Sequence, residues 1–160
     1  MAALVSREVR RGAGSAGAAD SVVLDYRDRF LRRKRLTTAA GAQLLVDLPE
    51  TVSLEDGDGL LLADGRHVVV AAAAEPLLEV AAAPEALARL AWHIGNRHTP
   101  AEIGEGRILV QRDHVIEDMV SRLGADTRHV HAPFRPEGGA YGHGRTHGHH
   151  HGGAGDDPHG

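Results

Sequence analysis

Histidine is the residue of this sequence best suited to chemistry, and half of its histidines lie near the end of the chain. Of twelve histidines, six fall between Tyr141 and Gly160: His143, His147, His149, His150, His151 and His159. This segment has almost no apolar side chains to offset the entropy of ordering, so we expect it to be disordered. A flexible histidine-rich tract is typical of metal binding, and imidazole suits nickel, copper and zinc. An expression tag is the other interpretation, but these histidines are interleaved with Gly, Arg and Thr.

His98 is the most suggestive histidine outside that tract. It follows Gly95-Asn96-Arg97, where we expect a helix to stop at Gly95, so its side chain should be presented on a loop rather than packed. One imidazole is not a site, and His98 needs ligands from elsewhere. A two-fold dimer would supply a second His98 if the loop lies near the axis. His93, inside the same predicted helix, is expected to be structural.

Four further histidines leave their roles open. His114 opens a second predicted helix and is either a ligand or a helix-end residue without a metal role. His129 and His131 lie two apart on a predicted strand and share a face, which suits chelation or simple exposure equally well. His67, alone on a strand of the first half, is expected to be structural or exposed.

Missing residue types narrow the function further. The sequence has no cysteine, which excludes disulfides and thiolate metal sites, so any metal must be held by nitrogen and oxygen. The one lysine, Lys34, is followed by Arg35, so there is no Walker A phosphate loop. There is also no His-Glu-x-x-His motif and no recognisable nucleophile, and we predict that the protein is not an enzyme.

The charge of the chain depends on its histidines. The formal net charge is -4 with histidine neutral, and protonating the twelve imidazoles would reverse its sign. Protons and metal compete for the same nitrogens, so metal affinity should fall on acidification. No apolar stretch is long enough to span a membrane, and the first residues lack a secretory apolar region, so a cytoplasmic location is expected.

A basic cluster lies in the first half of the chain, formed by Arg27, Arg29, Arg32, Arg33, Lys34 and Arg35. Such a run can contact nucleic acid or an acidic partner. The acidic net charge favours a solvated face instead, and aromatic residues at 3% argue against a base-stacking platform, so we expect no nucleic acid partner.

The first half of the chain, residues 1–74, is predicted to be β-rich. Short apolar runs at Ser21–Tyr26 and Gln43–Leu48 indicate strands. Asp64-Gly65 is a hairpin signal between Leu60–Leu62 and Arg66–Val70. These patterns favour a small sheet or sandwich.

The second half alternates between strand and helix patterns. Pro76–Val80 predicts a strand, and Pro84 suits the first turn of a helix whose apolar face recurs at Leu87, Leu90, Ala91 and Ile94. Ala101–Ile103 and Arg107–Gln111 can pair as strands. Asp113 is an expected N-cap for a helix that Gly124 ends, and Thr127–Val130 predicts a last strand. The order β-α-β-β-α-β predicts a ferredoxin-like α+β domain.

Three blocks of the second half resemble the UreE family of urease accessory proteins, which are nickel metallochaperones. They are Leu90-Ala-Trp-His-Ile-Gly-Asn-Arg-His-Thr-Pro100, Arg112-Asp-His-Val-Ile-Glu-Asp-Met119, and Ala132-Pro-Phe-Arg-Pro-Glu-Gly-Gly-Ala-Tyr141 followed by the histidine-rich tract. They occur in order over residues 76–160, and the first 75 residues match more loosely. Some relatives carry a histidine where this chain has Arg112.

The resemblance implies a division of the chain into three parts. These are a β-rich, peptide-binding-type domain at 1–74, a ferredoxin-like metal-binding domain at 75–141, and a metal-binding tail at 142–160. It further implies a homodimer in which His98 of each subunit binds one shared Ni(II). The resemblance also implies that this nickel is delivered to the complex of urease apoprotein with its accessory proteins, and that an accessory GTPase takes part in the delivery.

We therefore expect a nickel chaperone with its metal ligands at His98, His114, His143, His147, His149, His150 and His151. Copper(II) and zinc(II) should also bind in vitro. Two alternatives stay open: a metal buffer or store whose main element is the tail, and a protein-interaction module to which metal binding is incidental.

Overall fold

The structure is a computed structural model that describes residues 3–138. These residues form a mixed α+β fold with many strands and two helices, as the sequence predicted. The strands are β1 Leu4–Ser6, β2 Val9–Arg10, β3 Asp20–Leu24, β4 Phe30–Thr37, β5 Gln43–Ser53, β6 Gly59–Leu61, β7 His67–Ala72, β8 Ala74–Ala81, β9 Glu102–Gly104, β10 Arg107–Gln111 and β11 Asp126–Pro133. The helices are α1 Pro84–Asn96 and α2 His114–Arg122. Neither helix is long and apolar enough to cross a membrane.

Two sheets make up the first half of the chain. One has the order β1-β5-β4, with β1 parallel and β4 antiparallel to β5. The other has the order β2-β6-β7-β3, and its β6–β7 pair is the antiparallel hairpin predicted around Asp64-Gly65. Buried leucine and valine side chains from both sheets, such as Leu44, Leu60 and Val68, form one core between them.

The second half contains a single antiparallel sheet with the order β11-β8-β10-β9. Along the chain its elements follow as strand, helix, strand, strand, helix, strand. Alternate residues of a strand face opposite sides of a sheet. Leu78 and Val80 of β8 therefore pack with α1 and α2, whereas Leu77 packs on the other face against Tyr26 of the first half.

Local sequence signals explain where the helices begin. Pro84 occupies the first turn of α1, where its missing N–H is not needed. Asp113 caps α2, and its Oδ1 accepts hydrogen bonds from the backbone N–H groups of Val115 at 2.8 Å and Ile116 at 3.2 Å. Both starts agree with the sequence prediction.

Arg29 joins the two halves of the chain. Only 2% of its surface is exposed, and its guanidinium donates to three backbone carbonyls. These belong to Leu54 at 3.2 Å, Leu24 at 3.0 Å and Phe134 at 2.5 Å. Burial lowers the pKa of Arg29, against the opposing effect of the carboxylates of Glu75 and Asp56.

Arg29 also corrects one expectation, because this member of the basic cluster belongs to the interior and not to a solvated face. The four consecutive residues 32–35 of the cluster are exposed on β4 as expected. The sequence did not predict β4 itself.

A buried carboxylate adds to the same junction. Glu75 accepts hydrogen bonds from the backbone N–H of Tyr26 at 2.8 Å and from Nε2 of Gln111 at 2.9 Å. The ring of Tyr26 meets that of Phe134 edge to face, with centroids 5.3 Å apart. The sheet that carries α1 and α2 is thus held against the first half by both polar and apolar contacts.

Candidate metal centre

His98 lies two residues beyond the end of α1, and its backbone terminates the helix. Its φ of 57° places it in the left-handed region, and it is the one non-glycine residue of the described chain with a positive φ. The N–H of His98 donates to the carbonyl of Gly95 at 2.9 Å, and the N–H of Thr99 donates to the carbonyl of Ile94 at 3.4 Å. These two bonds form a Schellman motif, in which the left-handed position is usually glycine.

The end of α2 has the same arrangement with glycine in that position. Gly124 has a φ of 90° and donates to the carbonyl of Ser121 at 3.1 Å, while Ala125 donates to that of Val120 at 3.0 Å. The prediction that Gly124 ends α2 is therefore confirmed. The corresponding prediction for Gly95 is wrong, because α1 continues through Gly95 to Asn96 and His98 takes the position that glycine was expected to fill.

This geometry presents the imidazole of His98 to solvent at a helix C-terminus. The residue is exposed, on a turn closed by the two backbone hydrogen bonds. The last carbonyls of a helix carry partial negative charge, which favours a cation nearby. The position therefore suits a ligand for a metal ion that lies at the surface of the subunit.

Exposed apolar side chains lie on the same helical layer. Trp92 of α1 is 64% exposed, Val115 of α2 is 43% exposed, and Leu123, just after the end of α2, is 45% exposed. The ring of Trp92 meets that of His93 edge to face, with centroids 5.0 Å apart, and His93 lines a cleft with residues of α2. His93 thus lies half-buried at this cleft, and its structural role stays a prediction.

Trp92 was not predicted from the sequence to be a surface residue. A signal was present, because Trp92 falls outside the apolar series Leu87, Leu90, Ala91 and Ile94 that faces the sheet. A large apolar residue off the buried face of a helix indicates a contact surface.

His114 is the first residue of α2 and is exposed. It lines a shallow cavity with Arg112, Asp113, Glu117 and Pro76. Glu117 lies three residues further along α2, on the same side as His114. In this arrangement His114 has carboxylates near it but also the cationic Arg112.

His129 and His131 share a face of β11, and among residues 3–138 a side-chain partner is seen for His129 alone. Its Nε2 lies 3.0 Å and 3.2 Å from the two carboxylate oxygens of Glu117. His67 is 6% exposed and its Nε2 lies 2.8 Å from the carbonyl oxygen of Gly14, so it is structural.

Within residues 3–138, no three histidine, aspartate or glutamate side chains are grouped so that they hold a metal ion. His98 and His114 are therefore not brought into one such group. The other predicted ligands, His143, His147, His149, His150 and His151, lie outside the described residues.

Both halves of the chain match family models. Residues 6–73 match the N-terminal domain of UreE urease accessory proteins, and residues 75–160 match their C-terminal domain. The chain is 60% identical to a urease accessory protein UreE of Ruegeria pomeroyi over 145 residues, which cover 91% of this chain and 96% of the relative. It is 59% identical to one of Paracoccus denitrificans over 140 residues, covering 88% and 87% of the two chains. On this similarity over nearly its whole length, the chain belongs to the UreE family of urease accessory proteins.

Proposed function

We propose that this protein is a nickel metallochaperone that binds Ni(II) and delivers it for assembly of the urease active site. Family membership supports a role in urease maturation and confirms the prediction that the chain is not an enzyme, because UreE proteins are accessory proteins. The observation that carries the nickel role is the conformation of His98. A histidine held in a left-handed turn that favours glycine is a strained residue, and such residues concentrate at functional sites.

The central site is shared between two subunits of a homodimer. Among residues 3–138 no group of three potential ligands includes His98, so we propose that donors from a second copy or from the tail complete the site. A two-fold axis near the end of α1 brings two copies of His98 together. Trp92, Val115 and Leu123 supply exposed apolar surface for that contact.

We propose further metal ligands in addition to His98. Tail histidines 143, 147, 149, 150 and 151 complete the coordination or hold additional ions, and His114 is a peripheral ligand with carboxylates beside it. Nitrogen and oxygen donors also accept Cu(II) and Zn(II) in vitro. Exposed ligands suit a carrier, since the metal must leave as well as bind.

We propose that the chain is divided into three domains, residues 1–74, 75–141 and 142–160. The sheet order β11-β8-β10-β9 supports a ferredoxin-like assignment for the second, because it places the last strand beside the first. The partners proposed are a urease accessory GTPase and the complex of urease apoprotein with its accessory proteins. A cytoplasmic location and the absence of a nucleic acid partner stay predictions from the sequence.

Nickel titration by calorimetry, with the mass measured by light scattering, tests the central site. The wild type should bind one tight ion per dimer that His98→Ala loses, while the matched control His93→Ala retains it. Binding that is unchanged in stoichiometry and affinity in His98→Ala would contradict the shared site. Circular dichroism of each variant shows whether the fold is kept.

Deletion of residues 142–160 separates the chaperone from a metal store. A chaperone keeps the tight ion at His98 and part of its capacity to activate urease apoprotein. A store loses most of its bound metal and its effect on urease. The two outcomes are distinguished by measuring bound nickel and urease activation on the same truncated protein.

A further inference from the structure

The outer edge of β4 is open. β5 pairs with one side of this strand, and over residues 3–138 no strand pairs with the other. An edge strand presents unpaired N–H and C=O groups, which another extended chain can use for hydrogen bonds. Leu31 and Leu36, 5% and 6% exposed, anchor the two ends of β4 in the core and keep this edge in place.

Four basic residues follow one another along that edge, and all are exposed. They are Arg32, Arg33, Lys34 and Arg35. In a strand packed on one side, every second residue is buried. Here the pairing with β5 shifts register between Leu31 and Arg33, and both faces of the middle of β4 are in solvent.

The charge of this basic edge is only partly neutralised. Asp47 lies 3.8 Å from Arg33, and Asp28 lies 3.1 Å from Lys34. In the described part of the chain, the side chains of Arg32 and Arg35 form no hydrogen bond or ion pair. An excess of positive charge thus lies on one strand of a chain whose formal net charge is -4.

We propose that β4 is a docking site for an acidic, extended segment of a partner protein, which adds as a strand to its open edge. The backbone groups of β4 supply the hydrogen bonds, and carboxylates of the segment face Arg32 and Arg35. Because β4 combines an open edge with positive charge that is not neutralised, an acidic peptide is favoured as its ligand. Nucleic acid is disfavoured because a single strand needs aromatic stacking surfaces, and residues 32–35 contain none. The inference is independent of metal binding at His98.

Fluorescence anisotropy on the full chain tests the proposal with a labelled ten-residue peptide of repeated Glu-Glu-Val-Val, which as a strand carries carboxylates on both faces, at about pH 8, where histidine is neutral. Arg32→Glu with Arg35→Glu should weaken binding at least about tenfold. The control Arg89→Glu with Arg122→Glu changes the net charge equally on exposed helical positions and should bind like the wild type. Arg32→Gln with Arg35→Gln removes the charge more gently and should lie between them.

A second probe separates strand addition from simple charge attraction. The same peptide with every second backbone nitrogen methylated cannot form the ladder and should bind at least about tenfold more weakly. The proposal would be overturned if the methylated peptide bound as tightly as the unmethylated one. It would also be overturned if the Arg89→Glu, Arg122→Glu control lost as much peptide affinity as the Arg32→Glu, Arg35→Glu variant. Binding of a twelve-nucleotide oligouridine without binding of the peptide would overturn it as well. Absence of peptide binding together with aggregation of the Glu variant would show that the charges only prevent edge-to-edge association.

Discussion

His98 and Gly124 occupy the same position in two Schellman motifs, one at the end of each helix. Both have a positive φ and both donate a hydrogen bond to the carbonyl three residues earlier. Gly124 adopts this conformation without steric cost, whereas a residue with a Cβ loses about 1 kcal/mol there. The chain carries a histidine at the costlier position, and non-glycine residues in this conformation concentrate at functional sites.

Stability should therefore respond to the residue at position 98 independently of metal. We expect metal-free His98→Gly to be about 1 kcal/mol more stable than His98→Ala, because only alanine keeps the clash of a Cβ in the left-handed region. Both variants should lose the central nickel site. Urea unfolding gives the stability difference, and equal stability of the two variants would show that position 98 carries no such strain.

Replacing each of two glycines in the second half by alanine should change the stability of the protein in opposite directions. Gly124→Ala should destabilise the protein by about 1 kcal/mol, since its φ is 90°. Gly95→Ala should stabilise it by up to about 1 kcal/mol, since Gly95 lies in α1 and an added Cβ meets nothing within 4 Å. Thermal unfolding of both variants tests the pair, and a shift of the same sign for both would refute the assigned helix end.

The sequence predicted elements whose signals are local. Pro84 and Asp113 mark helix starts through groups within one turn, and Gly124 marks an end through its own backbone freedom. The left-handed conformation of His98 could not be predicted, because nothing in residue type distinguishes it from a histidine on an ordinary loop. The ligand role of His98 therefore stays a prediction, although its exposure agrees with what the sequence suggested.

The basic cluster shows a second limit. A run of charged residues carries no apolar alternation, so β4 gave no strand signal even though Leu31 and Leu36 anchor it. The burial of Arg29 was equally hidden, since its acceptors are backbone carbonyls from distant parts of the chain, among them Phe134. Such contacts depend on the tertiary arrangement and not on side-chain pattern.

Among the residues of the basic cluster, substitution of Arg29 should lower the free energy of unfolding most. Arg29→Met removes donors from three carbonyls at the junction of the two halves, and we expect a loss of about 3 kcal/mol in the free energy of unfolding. The exposed Arg32→Met should change it by no more than about 0.5 kcal/mol. Urea unfolding of both variants decides this, and similar values would show that the buried guanidinium contributes little.

Asp56 should make stability depend on pH in the acid range. Partial burial raises the pKa of Asp56, but the N–H of Ala72 and the guanidinium of Arg135 outweigh it, so its pKa lies below the ordinary value. A carboxyl whose pKa is depressed by folding stabilises the protein above its unfolded pKa of about 3.9, and this contribution is lost as the pH falls towards the folded pKa.

The stability difference between wild type and Asp56→Asn should therefore be full above about pH 5 and shrink below about pH 4. Urea unfolding at several pH values measures it. Asp118→Asn, at an exposed carboxylate of α2, is the control and should show a smaller difference at neutral pH. A difference for Asp56→Asn that grows on acidification would contradict the depressed pKa.

Trp92 should report on the dimer that the proposed site requires. It is the only tryptophan, and at 64% exposure its emission in a monomer should be that of a solvated indole. If two subunits cover the layer around α1, emission should shift to shorter wavelength as the protein concentration rises, and Trp92→Ala should weaken the dimer measured by light scattering. Ile103→Ala, at a 48% exposed residue of β9, is the control and should leave the dimer intact. A dimer that forms while the emission stays constant would place the contact elsewhere, and His98 would then need its partner ligands from the tail alone.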